Sequence, residues 1–195
     1  KWRICVWHKN MRMLQVGSKG DEAGWPAYEE CRRQGAIIHN AHLHVYARTW
    51  EMSSFLRQEV SSKTSSFQAP TVLRAEDKAA GIEGTSLCII SGLGGYSPAN
   101  VDPTLAENPW WAAAQGKNNG LYLGATICTF NVNGAEDLAY CKFVNGDDGT
   151  IVDDFWLKTE VPAMNKEWKS FFKSQVDSAQ KDVQTSTYGK DCSSA

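Results

Sequence analysis

Six cysteines lie scattered along the chain, at 5, 31, 88, 128, 141 and 192, with no two in a CxxC spacing. A zinc ribbon or a dithiol redox centre needs two sulfurs about three residues apart converging on one point, so neither fits. An even count without such pairs implies a disulfide framework made in an oxidising compartment. One bridge follows from local structure. Cys128 and Cys141 flank Asn133-Gly134, a turn dipeptide that tolerates positive φ, and a hairpin there brings the two sulfurs together. The partners of Cys5, Cys31, Cys88 and Cys192 stay open. The chain begins at Lys1 with no initiator Met and no basic-then-apolar leader, which is the expectation for a mature, secreted, extracellular form.

Bulk properties exclude several classes. The net charge is −2, and the 20 Lys and Arg residues are dispersed, so the clustered positive surface that releases counterions from a phosphate backbone is missing and nucleic acid is not expected as a partner. Apolar runs are only a few residues long, against the roughly 20 required for a membrane-spanning helix. With 195 residues and 42% apolar content the chain can bury one sizeable core, so a single globular domain over 1–195 is expected.

Hydrophobic patterning predicts an α+β fold stabilised by disulfides, with an antiparallel sheet built of hairpins, two short N-terminal helices and a C-terminal amphipathic helix. Residues 2–16 alternate like a strand or hairpin, and residues 21–34 read as a helix with Asp21 at its N-cap, Pro26 in its first turn and Gly35 at its end. Residues 36–46 resume strand character. Residues 50–60 read as a second helix turning Trp50, Phe55 and Leu56 inward, and 61–84 as an exposed loop with a helical turn near 75–80. Residues 85–90 form a short apolar strand, followed by a long ordered loop over 91–119. Asn-Gly pairs at 119–120, 133–134 and 145–146 then separate strands at 121–130, 138–144 and 151–159. After Pro162, apolar residues every three or four positions predict a helix over about 163–183.

Candidate chemistry gathers in two places. Trp110 and Trp111 fall in the long loop and, if exposed, offer flat aromatic faces with polar edges for a sugar or protein, with Gln115, Asn118 and Asn119 beside them. His39, His42 and His44 crowd into six positions. On an extended segment His42 and His44 share a face and form an H-x-H pair able to grip zinc or copper; His39 faces away, and a third ligand comes from His8 or a carboxylate. The doublets Asp147-Asp148 and Asp153-Asp154 lack the EF-hand pattern and read as turn residues, and Gly92-Leu93-Gly94-Gly95 has neither the spacing of a phosphate-cradling loop nor a helix after it. No cysteine sits in a nucleophile signature, and no residue is assigned a catalytic role.

Segments of the chain resemble the C-type lectin-like domain. CTFNVNGAEDLAYC at 128–141 is similar to that family's inner disulfide loop, WWAAAQGKNNG at 110–120 to its W-x-x-G-x-P-N-N stretch, and the helix end from Cys31 through Ile38 to its C-x-x-x-G-G/A-x-L terminus. The resemblance implies a recognition domain whose Cys31 bridges to a position near the final strand. Gln115-Gly116-Lys117-Asn118 stands where calcium-dependent members carry their proline tripeptide, which implies binding without calcium.

The leading expectation is therefore a secreted, disulfide-stabilised binding protein that recognises a protein or carbohydrate, without a cofactor and without catalysis. The alternatives are a protein or enzyme using zinc or copper at His39, His42 and His44, and a carrier of an apolar small ligand.

Overall fold

The computed structural model describes residues 1–95 and 97–163. Lys1–Val161 make one compact unit and Pro162–Ala195 a second. The helix expected over 163–183, and Cys192 after it, lie outside the described residues.

In chain order the first unit runs β1 (Ile4–Val6), α1 (Trp25–Arg33), β2 (Ile37–Asn40), β3 (Tyr46–Thr49), β4 (Glu51–Ser54), β5 (Glu59–Ser62), β6 (Thr71–Leu73), β7 (Leu87–Ser91), α2 (Pro103–Ala106), β8 (Trp111–Gln115), β9 (Gly124–Phe130), β10 (Leu138–Asn145) and β11 (Ile151–Thr159). A five-stranded sheet has the order β1-β2-β7-β3-β8, a four-stranded sheet the order β6-β11-β10-β9, and β4 pairs with β5. The expected α+β class is therefore corrected: the molecule is β-rich, with three sheets and only the helices α1 and α2 among the described residues. The sheets are also mixed. β1, β2 and β7 run parallel, as do β6 and β11, while the remaining pairs are antiparallel.

The large sheet is covered on both faces, which explains why β7 reads Leu-Cys-Ile-Ile without alternation. Ile37, Tyr46, Leu87 and Ile89 point into a core shared with Leu73, Ala139, Cys141, Phe143, Phe155 and Leu157 of the smaller sheet. Ile38, Ala47, Cys88 and Ile90 point the other way, onto Tyr28 of α1, Met52 and Phe55 of the β4–β5 hairpin, and Trp110 and Trp111.

β1 and β2 are parallel neighbours, so the chain must cross over between them, and α1 is that crossover. Pro26 occupies its first turn, where a missing N–H costs nothing. Gly35 ends it at φ +63°, with its N–H bonded to Arg32 and the Ala36 N–H to Cys31, the paired closure of a left-handed helix cap. A Cβ on Gly35 would stand 2.7 Å from the Arg74 backbone, so the position requires glycine twice over. Asp21 is not the N-cap, which falls on Gly24. The disulfide Cys5–Cys31 ties α1 to β1.

Three further expectations need correction. Residues 50–60 form the hairpin β4–β5 in place of a second helix, because their apolar positions Met52 and Phe55 are buried across the sheet and the Phe55 and Leu56 amides are held from a distance by Glu29. The segment 91–119 is not one loop, since β8 pairs with β3 inside it. Residues 2–16 hold only the short strand β1, and the stretch around 75–80 forms a turn closed by the Asp77–Ile82 bridge. By contrast β9, β10 and β11 fall where the Asn-Gly turns put them, and Asn133 and Gly134 both have positive φ. Cys128 lies opposite Cys141 in register, and the two are bonded. Cys31 pairs with Cys5 and not with a position near the final strand, and Cys88 is a free, fully buried thiol. No helix among the described residues is long and apolar enough to cross a membrane.

A buried ion pair links the two large sheets. Arg48 on β3 donates to both oxygens of Asp153 on β11, at 2.7 and 3.0 Å, and the Tyr46 hydroxyl donates to the same carboxylate at 2.6 Å. The guanidinium lies 4.3 Å from the Phe155 ring centroid, and Tyr46 stacks on Phe143. Replacing Asp153 with Ala should cost about 3–5 kcal/mol in urea denaturation, because it strands a buried cation, and Arg48→Met combined with Asp153→Leu should cost less than that single change.

Glu29 of α1 does similar work for the hairpin. One of its oxygens accepts from the Phe55 amide at 2.7 Å, the Leu56 amide at 2.9 Å and the Ser54 hydroxyl, and the other from Arg32. Burial alone would raise its pKa, but the Leu56 and Phe55 amides and the Arg32 guanidinium outweigh burial and hold the carboxyl below its usual range. Its stabilising contribution is therefore complete above the ordinary carboxylate pKa and is lost as pH falls through the depressed one. Thermal midpoints measured from pH 6 down to about pH 3 should fall less steeply in Glu29→Gln than in the parent, which starts higher.

Candidate functional site

Because β1, β2 and β7 are parallel neighbours, their carboxyl ends open on one edge of the sheet, the side on which open α/β sheets bind ligands. His8 follows β1 by two residues; His42 and His44 follow β2 by two and four. The segment after β7 begins at Gly92, where a Cβ would stand 2.1 Å from the Leu43 carbonyl oxygen. Gly92 thus serves the close approach of this backbone to the His42–His44 turn.

Asn40, the last residue of β2 and fully buried, joins the three strand ends. Its amide nitrogen donates to the Trp7 carbonyl, and its side-chain oxygen accepts from the Tyr28 hydroxyl at 3.1 Å and from the Cys88 thiol. Immediately beyond, the Ala41 amide donates to the His8 carbonyl and the Asn10 side chain to the Ala41 carbonyl. The chain after β1 is thereby laced to the chain after β2.

His42 and His44 do not lie on an extended strand. Residues 41–45 bend tightly, with Leu43 N–H bonded to Ala41 and Val45 N–H to Leu43, and Leu43 buried between the two histidines. His42 sits at φ +50°, a left-handed conformation that costs a non-glycine residue energy and often marks a functional position. The turn sets His42 Nδ1 3.1 Å from His8 Nε2, with the rings 4.9 Å apart and edge to face. On its other side His42 Nε2 lies 2.8 Å from the Glu22 carboxylate, whose second oxygen accepts from the Lys9 ammonium at 2.9 Å. His44 Nδ1 is 2.8 Å from the Ser97 carbonyl, which as an acceptor places the proton on that nitrogen. His39 remains inside β2, opposite Ile89, apart from the other three.

Charge states follow from the surroundings. Burial lowers the His42 pKa against the opposing pull of Glu22, and the positive charges of Lys19 and Lys9 with His8 lower it further, so the ring is neutral at pH 7. The hydrogen bond from Lys9 keeps Glu22 below the usual carboxylate range and ionised. Burial likewise lowers the pKa of His39. Beside the pair opens a cleft of about 520 Å³ lined by Trp7, His8, Lys9, Glu22, Ala23 and Ala27. No group of three or more His, Cys, Asp or Glu side chains is poised around a single ion position among the described residues.

The aromatic and amide candidates have other employment. Trp110 and Trp111 are only 7% and 8% exposed and pack in the core between the sheet and α1. Asn118 bonds the Val101 backbone through both ends of its amide, Asn119 accepts from the Gly116 amide, and Gln115 ends β8 opposite Tyr46. Glu22 escaped the sequence reading. Its place in the linker before α1, the segment that must return across the end of β1, is the signal that could have found it.

No family model matches the chain, and no curated protein matches it by sequence. In fold it is similar to a purple acid phosphatase from yellow lupin (Lupinus luteus) seeds, with a TM-score of 0.52 and 14% identity. The match takes in 83% of this chain and 28% of that one, so the chain spans under a third of the length of the structure it resembles.

Replacing Asn40 with Ala orphans the Trp7 carbonyl and takes the acceptor from the Tyr28 hydroxyl proton, and should cost about 1–3 kcal/mol in urea denaturation. Amide exchange in the loop around His8 should quicken by more than that around β10, which Asn40 does not touch.

Proposed function

We propose that the carboxyl edge of the five-stranded sheet takes a divalent transition metal ion, and that the chain contributes this wall to a metal-dependent phosphoester hydrolase. The observation that carries the reading is the 3.1 Å separation of His8 Nε2 and His42 Nδ1. Two nitrogens bound to one ion at about 2.0–2.1 Å stand roughly 2.8–3.4 Å apart between octahedral and tetrahedral angles, so the pair can share an ion with little rearrangement. The low pKa of His42 suits the role, since an imidazole ligand must be neutral. The Ser97 carbonyl fixes the His44 tautomer in the manner of a ligand's outer support.

The reaction class comes from the likeness in fold to a phosphatase. A bound ion would act there as a Lewis acid on a phosphoryl oxygen. This chain's residues hold the ion, and Lys9 supplies a positive charge on the wall of the cleft that an anionic ester would enter. In this reading the rest of the coordination sphere comes from polypeptide other than the described residues. An extracellular setting belongs to the same proposal, because cystines such as Cys5–Cys31 and Cys128–Cys141 persist outside the reducing cytosol.

Titration with Zn²⁺, followed by imidazole nitrogen resonances, should shift His8 Nε2 and His42 Nδ1 together along one binding curve. His8→Ala and His42→Ala should each abolish it, and His39→Ala should leave it unchanged. Zn²⁺ binding that survives in the double variant, or that never perturbs the two rings, would sink the reading.

A further inference from the structure

We propose, resting on the metal reading above, that Glu22 is the positioning residue of the site: its carboxylate takes the His42 Nε2 proton as a hydrogen bond and so presents Nδ1 as the ligand atom toward His8. A neutral imidazole carries one proton, and which nitrogen bears it is decided by the acceptor the ring finds. Here a carboxylate oxygen 2.8 Å from Nε2 is that acceptor, and with its other oxygen taken by the Lys9 ammonium the carboxylate offers acceptors only. Nδ1 is then left with its lone pair facing His8 Nε2 at 3.1 Å.

Glu22 is itself placed from two directions. Its backbone N–H donates to the Asn10 carbonyl, which ties the linker before α1 to the loop carrying His8. One carboxylate oxygen goes to Lys9 and the other to His42. Both histidines are thus indexed to the same short segment, His8 through the backbone and His42 through the side chain. The left-handed backbone at His42 is the complementary half of the device, since it turns the ring so that its two nitrogens face Glu22 and His8. Charge on a carboxylate behind a ligand imidazole also raises the basicity of the ligating nitrogen, which tightens the metal bond.

The test reads the ring directly. In the metal-free protein, nitrogen spectra of His42 should show the proton on Nε2, with a downfield, slowly exchanging N–H signal. In Glu22→Ala that signal should be lost and Zn²⁺ affinity should fall by about 10–100-fold, while Glu22→Gln, whose amide oxygen can still accept, should recover part of both. Glu22→Ala should keep the parent's amide shifts in β10, which Glu22 does not touch, and this guards against a folding artefact. A wild-type ring protonated on Nδ1, or a Glu22→Ala protein that binds Zn²⁺ as tightly as wild type, overturns this inference alone. A wild-type protein that takes no Zn²⁺ overturns the metal reading, and the positioning role with it.

Discussion

The central strands β2, β7 and β3 bury mostly apolar side chains on both faces, and a sheet of that kind cannot stand in water on either side. Two independent covers are therefore obligatory. On one face the antiparallel sheet of β9, β10 and β11 supplies Phe143, Phe155 and Leu157; on the other, α1, the β4–β5 hairpin and the tryptophans close over Ile38, Cys88 and Ile90. The remaining architecture answers to that demand. The crossover between β1 and β2 must be helical and amphipathic, and the segment after β8 must return to form the second sheet.

Polar groups buried by this arrangement act as locators. Arg48 and Asp153 meet across the interface between the sheets, where an ion pair of similar volume to two hydrophobic side chains gives little net stability but tolerates only one registration. Glu29 does the same between α1 and the hairpin, and Asn40 between the ends of β1, β2 and β7. In each case a side chain on one element satisfies donors or acceptors on another that has no local alternative. A sliding of either element would leave several buried groups unpaired at once, so these contacts fix positions that hydrophobic packing alone leaves free.

How much of this was legible depended on how local the determinants were. The strands β9 to β11 could be read because their turns are encoded in adjacent residues, with Asn133 and Gly134 adopting the positive φ that the dipeptide favours. Gly35 and Pro26 marked α1 for the same reason. The hairpin β4–β5 could not be read, since Met52 and Phe55 have a spacing that suits either a helix or a kinked hairpin, and the amides that decide between them are held by Glu29, 26 and 27 residues upstream in sequence. β8 was hidden by the Gly and Pro around it and exists through its pairing with β3. Cys88 misled because a sulfur count does not distinguish a bridge from a small buried side chain bonded to Asn40. The lectin-like stretches matched in their turns, which are locally encoded, while the pairing of Cys31 with Cys5 is a property of the parallel β1–α1–β2 unit.

At the histidines the same distinction takes a sharper form. The crowding of His39, His42 and His44 was visible, but strand periodicity could not show that His42 meets His8, because periodicity presumes an extended backbone and His42 leaves it. Once the chain bends at a left-handed residue, proximity is set by what the bend rests on. Leu43 is pinned in the core, Gly92 lets the neighbouring backbone approach, and the Ala41–His8 bond closes the gap to the next loop. His8 and His42 are 34 residues apart and meet because parallel strands deliver both chain ends to one edge of the sheet. Rigid strands set the coarse position of each ring, and the buried amide of Asn40 with the carboxylate of Glu22 sets the fine one. The strained turn can persist at His42 because the surrounding contacts over-determine it.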